Sequence, residues 1–135
     1  MCIRDRTSDD TITTGAGDDF IKAQGGDDVV DAGEGSNDVR GAGGDDTITT
    51  GSGNDTVVGG SQNDVLRSGA GDDEVRGGNN GDLIESGEGN DTVVAGRGRV
   101  TVFGGTGNDF LQGNNGDDLL PVSYTHLTLP TICSV

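Results

Sequence analysis

The sequence predicts an all-β solenoid built of short stacked repeats, and three periodic features carry that prediction. An aliphatic side chain recurs at every ninth residue, an aspartate stands two residues before it, and glycines stand two and four residues before the aspartate. The period holds without insertion or deletion over residues 7 to 120, as it must where each unit packs only on its neighbours.

Each unit divides into a loop of six positions and a strand of three. Counted from Thr14, position six is Asp19, Asp28, Asn37, Asp46, Asp55, Asp64, Asp73, Asp82, Asp91, Val100, Asp109 and Asp118, with Asp10 before them. Position eight is Ile12, Ile21, Val30, Val39, Ile48, Val57, Leu66, Val75, Ile84, Val93, Val102, Leu111 and Leu120, aliphatic without exception. Position four is glycine in ten of the twelve complete units and position two in nine. Glycine at alternate loop positions permits positive φ and close backbone approach, so successive carbonyls can turn toward one centre. On the strand, position eight lies between two non-core neighbours and alone is expected to face inward; Val and Ile suit such a short extended segment.

Composition sets the energetic problem. Of 135 residues 27 are Gly, 29% are hydrophobic and 3% aromatic, and the formal net charge is -16. Such a chain stays disordered unless something neutralises it. Residues 7 to 120 alone hold 23 acidic against 6 basic side chains, a difference of -17. One aliphatic per nonapeptide makes a core too thin to offset both chain entropy and stacked carboxylates, so bound cations are expected to complete it and folding and metal binding become one event. The acidity argues against nucleic acid or an anionic membrane as partner. No apolar run of about 20 residues is present to span a bilayer, and the first residues lack the apolar stretch of a cleavable signal peptide.

The two ends break the pattern. "MCIRDR" and "VSYTHLTLPTICSV" hold no glycine but contain both cysteines, the only His and the only Tyr. Both resemble translated sequencing-adapter read-through, so residues 1–6 and 122–135 are set apart as artefactual tails and the array is assigned to 7–121. On that reading Cys2 and Cys133 form no disulfide framework, His126 carries no chemistry, and the array is a fragment of a longer one.

The unit resembles GGxGxDxUx, the nonapeptide of the RTX (repeats-in-toxin) family, and twelve complete copies in one register carry the resemblance across the array. It implies a right-handed parallel β-roll with two nonapeptides, 18 residues, per turn and about six turns. It implies calcium in the loops, about ten ions, each taking six to eight oxygens from loop carbonyls and carboxylates. The metal residues it assigns are Asp19, Asp28, Asn37, Asp46, Asp55, Asp64, Asp73, Asp82, Asp91, Asp109 and Asp118, with the glycines Gly15, Gly17, Gly33, Gly35, Gly51, Gly53, Gly69, Gly71, Gly87, Gly89, Gly105 and Gly107. It further implies a secreted, extracellular, bacterial protein with flanking domains.

Alternate units of such a roll share an edge, so the two edges read separately. Edge one carries "TGAGDD", "AGEGSN", "TGSGND", "SGAGDD", "SGEGND" and "GGTGND"; edge two carries "AQGGDD", "GAGGDD", "GGSQND", "GGNNGD", "AGRGRV" and "GNNGDD". Edge one keeps glycine at positions two and four nearly throughout, so the most regular sites are expected between the loops of Asp55, Asp73, Asp91 and Asp109. Asn37 still offers an oxygen and is expected to weaken its site more than abolish it. Val100 offers none; Arg97 and Arg99 beside it either lend a fixed cation to Asp82 and Asp118 or point into water.

The leading functional reading is a calcium-binding module of a larger secreted protein that folds on meeting external calcium. No nucleophile, general base or transition-metal constellation occurs in the array, so it is read as non-enzymatic. No Gly-Lys-Ser/Thr follows its GxG fragments to hold phosphate, and no EF-hand spacing fits. The alternatives are an accessory module of a secreted protease, lipase or epimerase, or an adhesin repeat. A flat ice-binding array is not expected, since position three of edge one runs Ala16, Glu34, Ser52, Ala70, Glu88, Thr106. End-to-end self-association through unpaired strand edges stays open.

Overall fold

Three non-glycine residues follow each position six, and from Thr11 to Gln112 every such triplet opens a β-strand in a computed structural model of the chain. The structure describes residues 2–4 and 7–121; the segment 122–135, with His126 and Cys133, lies outside the described residues. The strands are β1 (Cys2–Arg4), β2 (Thr11–Thr13), β3 (Phe20–Gly25), β4 (Val29–Gly33), β5 (Asp38–Gly43), β6 (Thr47–Thr50), β7 (Thr56–Ser61), β8 (Val65–Ala70), β9 (Glu74–Asn79), β10 (Leu83–Glu88), β11 (Thr92–Arg97), β12 (Thr101–Phe103) and β13 (Phe110–Asn115). No helix occurs among the described residues.

Odd-numbered strands form a seven-stranded sheet and even-numbered strands a six-stranded one, each in chain order. Every pairing is parallel and, apart from Gly33 with Thr50, joins residues 18 apart, as Val57 opposite Val75 and Leu66 opposite Ile84 show. The chain therefore crosses from sheet to sheet every nine residues and completes a turn every 18, which makes the parallel β-roll solenoid of about six turns. β1 falls within the segment that the sequence sets apart, and its Ile3 pairs with Ile21, so the backbone ladder includes Cys2–Arg4.

Position eight fills the space between the sheets, with side chains from Ile21 to Val102 shut off from solvent. Leu111 and Leu120 pack on this column while remaining partly exposed. One expectation is corrected here: position eight is not alone. Ala23, Ala32, Thr50, Ser68, Ser86 and Ala95, all at position one, are buried as well. Most strands run past position nine into the following loop, as β7 does from Thr56 to Ser61, and a period of two then puts positions eight and one on the same face. Position one is small in every unit because the position-six side chain lies against it: a Cβ on Gly77 would stand 2.5 Å from Asp82 Oδ2. One register shift interrupts the stack, where Gly33 of β4 faces Thr50 of β6.

The outer faces carry three of the basic side chains in exposed ion pairs, Arg40 with Asp38, Arg67 with Glu85 and Arg76 with Glu74. Pairs this open to water contribute little stability. The continuous aliphatic column has a direct consequence for stability. Leu66→Ala should lower the unfolding free energy of the calcium-loaded chain by about 2–5 kcal/mol, whereas Val29→Ala, at a site 48% exposed, should change it by about 0.5 kcal/mol or less. Chemical denaturation in saturating calcium measures both, and equal losses would contradict the single inward column.

Candidate metal centre

The position-six side chains form two columns, one along each loop edge, and nearly all lie beneath the surface. Asp19, Asp28, Asn37, Asp46, Asp55, Asp64, Asp73, Asp82 and Asp91 are buried; Asp109 and Asp118, toward the end of the described array, are half-buried. Along edge one, Oδ1 of each accepts the backbone N–H of the residue 18 before it: Asn37 to Asp55 at 2.7 Å, Asp55 to Asp73 at 2.9 Å, Asp73 to Asp91 at 3.0 Å and Asp91 to Asp109 at 3.1 Å. Edge two repeats the pattern from Asp10 through Asp28, Asp46 and Asp64 to Asp82, at 2.9 to 3.0 Å.

The other carboxyl oxygen is treated differently. Oδ2 of Asp46, Asp55, Asp64, Asp73, Asp82 and Asp91 is buried and accepts no hydrogen bond. A buried acceptor without a donor costs about 1–3 kcal/mol, more when it is ionised, and here the deficit recurs turn after turn on both edges. Burial accordingly pushes these carboxyls up: Asp46, Asp73 and Asp82 to about 6 and Asp64 to about 7, with Asp55 and Asp91 raised as well. On edge one the position-one hydroxyls of Thr50, Ser68 and Ser86 give their hydrogens to the carbonyls of Ser68, Ser86 and Gly104 one turn on, at 2.7, 2.9 and 2.8 Å.

Among the described residues no three His, Cys, Asp or Glu side chains converge. A cation at these loops must therefore draw most of its oxygens from the backbone. The loop geometry suits that demand. Gly87 has φ +108°, and a Cβ there would run into the Gly69 carbonyl oxygen of the preceding turn, so the position-two carbonyl points straight at the next loop. Hard carbonyl and carboxylate oxygens, few side-chain charges per site and no sulfur or imidazole are the donor set of calcium.

Of the glycines that the sequence assigns to edge one, Gly51 alone does not take a positive φ, and it lies where the register of β4 and β6 shifts. Among the described residues the five non-glycine residues with positive φ all stand on edge two, at positions two and four: Gln24, Ala42, Gln62, Asn80 and Asn114. The division into a regular and a degenerate edge is thus visible as backbone strain. Val100 is buried; its N–H donates to Asp118 Oδ1 at 3.1 Å, but it has no oxygen to offer the N–H of Asp82. Arg97 and Arg99 are exposed and make no ion pair among the described residues. Between the two readings of these arginines, the structure gives water.

A second column escapes the sequence reading. Position five accepts N–H groups in the opposite direction, from the turn that follows: Asp27 N to Asp9 at 2.9 Å, Asp45 N to Asp27 at 2.8 Å, Asn63 N to Asp45 at 2.9 Å, and on edge one Asn90 N to Asp72 at 2.8 Å. The recurring "DD" and "ND" doublets are its signal. The two side chains of a doublet reach one up and one down the stack.

A family model described as RTX calcium-binding nonapeptide repeat (4 copies) matches residues 6–39, 31–66, 49–84, 67–101 and 85–120. The chain belongs to this family. RTX nonapeptide repeats bind calcium, and the orphaned Oδ2 columns fit that ion. No curated protein and no solved structure matches the chain. In this RTX array the residues that would hold the ion are the position-six carboxylates together with loop carbonyls; calcium supplies the positive charge that the protein withholds from Oδ2.

The raised carboxyl values fix the sign of the pH response. A carboxyl that titrates near 6 or 7 in the metal-free fold, against an ordinary value near 4 in the unfolded chain, binds more protons folded than unfolded between those limits. Without metal the roll therefore loses stability as pH rises through that window. Protonation should thus stand in for part of the metal: in chelator the chain should show more β structure at about pH 5 than at about pH 8. Circular dichroism in chelator at the two pH values reads this directly, and equal or greater β structure at the alkaline end would contradict it.

Proposed function

We propose that this chain is a calcium-dependent folding module of a larger secreted bacterial protein. It stays expanded at cytosolic calcium and winds into the roll on reaching the outside. The observation that supports this most is the row of buried Asp Oδ2 atoms, from Asp46 to Asp91, that no protein donor reaches. With an excess of -17 over residues 7 to 120, a metal-free roll stacks carboxylates against one another at every turn. About ten divalent ions held between stacked loops would carry about +20, enough to cancel all of that charge. Extracellular calcium modules bind with dissociation constants of about 0.1–1 mM, far above the resting cytosolic level, so the same chain would be loose inside the cell and wound outside it.

The position-six carboxylates and the loop glycines act together in this reading. Carboxylates supply charge; glycines let carbonyls crowd the same centre. Edge one, with glycine at nearly every such position and hydroxyl bridges from Thr50, Ser68 and Ser86, should bind more tightly than edge two.

In excess chelator the chain should give the circular dichroism of an unstructured polypeptide, and millimolar calcium should convert it to a β spectrum. Persistent β structure in chelator at neutral pH would defeat the proposal. Asp73→Ala on edge one should raise the calcium midpoint further than Asp64→Ala on edge two, the first by roughly tenfold. Equal shifts would show that the two edges bind alike.

A further inference from the structure

Asn37 stands in the aspartate column and uses its first side-chain atom as the aspartates do. Its Oδ1 accepts the N–H of Asp19 at 3.0 Å, and its own N–H goes to Asp55 Oδ1 at 2.7 Å. The second atom differs. Nδ2 turns into its own loop and donates to the carbonyls of Gly35 at 3.0 Å and Gly33 at 3.4 Å, the oxygens of positions four and two. In the next loop along the edge the corresponding atom is Asp55 Oδ2, an acceptor that is buried without a donor.

The same pocket therefore occurs in two electrical states. With aspartate, the second side-chain atom is a buried carboxylate oxygen that no donor reaches, and it needs positive charge. With Asn37, an amide carrying two N–H donors points at those carbonyls and supplies it. The amide is also buried, only 3% exposed, so its hydrogens have no competing claim from water. A calcium ion entering this loop would lose one anionic ligand and meet N–H groups where it needs oxygen.

We propose that Asn37 is a built-in replacement for a bound ion: the loop of residues 32–37 closes through its own amide, and the array gives up one calcium site there. The inference rests on the calcium reading above and replaces the expectation of a merely weakened site. It assigns Asn37 the role of a positioning residue that keeps its own loop closed within the roll at calcium levels too low to fill the neighbouring loops.

Counting bound calcium by native mass spectrometry on the full chain tests it. Asn37→Asp should bind one ion more than the wild type, and Asp73→Asn, which carries the amide to another loop, should bind one ion fewer while still forming the roll in calcium. Hydrogen exchange followed as calcium is lowered from saturation provides a second readout. The amides of residues 33–37 should stay protected to lower calcium than those of 51–55 in the wild type, and that difference should vanish in Asn37→Asp. Unchanged ion counts in both variants, or equal exchange in the two wild-type loops, would overturn the proposal. Should Asn37→Asp fail to fold, the Asp73→Asn count and the wild-type exchange decide alone. A wild-type chain that takes up no calcium would instead sink the calcium reading on which this one stands.

Discussion

The hydrogen bond from a position-six N–H to the Oδ1 of the position-six side chain one turn later, made along both edges except where Val100 follows Asp82, determines where the rest of the roll can go. It draws the aspartates inward along both edges and sets the spacing of the loops. Because it engages one oxygen of the carboxylate, it also leaves the second buried and short of a donor. The small residue at position one is there because that second oxygen lies against it. Position-two and position-four glycines bring carbonyls to the same place, and the outcome is a stack that is nearly complete as protein chemistry and lacks only positive charge.

The two edges meet this constraint with different materials. On edge one, Thr50, Ser68 and Ser86 bridge to the following turn and the loop residues with positive φ are all glycine. Edge two uses glycine at position one in Gly41, Gly59 and Gly77, closes the backbones on one another, and accepts strain at Gln24, Ala42, Gln62, Asn80 and Asn114. A left-handed backbone at a non-glycine residue costs about 1–3 kcal/mol, comparable to a buried hydrogen bond. An array that looks uniform by period is thus graded in energy from side to side.

Much of this was legible in the sequence, for a physical reason. Strand register, the inward aliphatic column and the alternation of edges follow from a period held over every unit, and a single slip would have exposed that column. What stayed hidden depends on where one atom points. Position one looks like the start of a loop, yet the strand continues through it; its small residues, Ala23, Thr50, Gly59, Ser68 and Ala95 among them, were the available sign. The oxygen of Asn37 is visible in the sequence, while the direction of its amide nitrogen shows only in the structure. At Val100 the sequence left two readings of Arg97 and Arg99 open, an internal cation or charges in water, and a buried apolar side chain with two exposed arginines decides for the second. The shift at Gly33 and Thr50 has no counterpart in the period at all.

The 18-residue pairing interval also bears on how such an array can change length. Unequal recombination that removes or duplicates 18 residues takes out or adds one whole turn, and every downstream strand keeps its sheet, its edge and its partners. Removing nine residues leaves each loop motif intact but moves everything downstream to the opposite sheet. The hydroxyl-bearing units would then continue on the strained edge and the strained units on the hydroxyl-bearing one. Gains and losses in an array like this should accumulate in even numbers of nonapeptides, an inheritance rule set by which side of the roll a repeat was made to face.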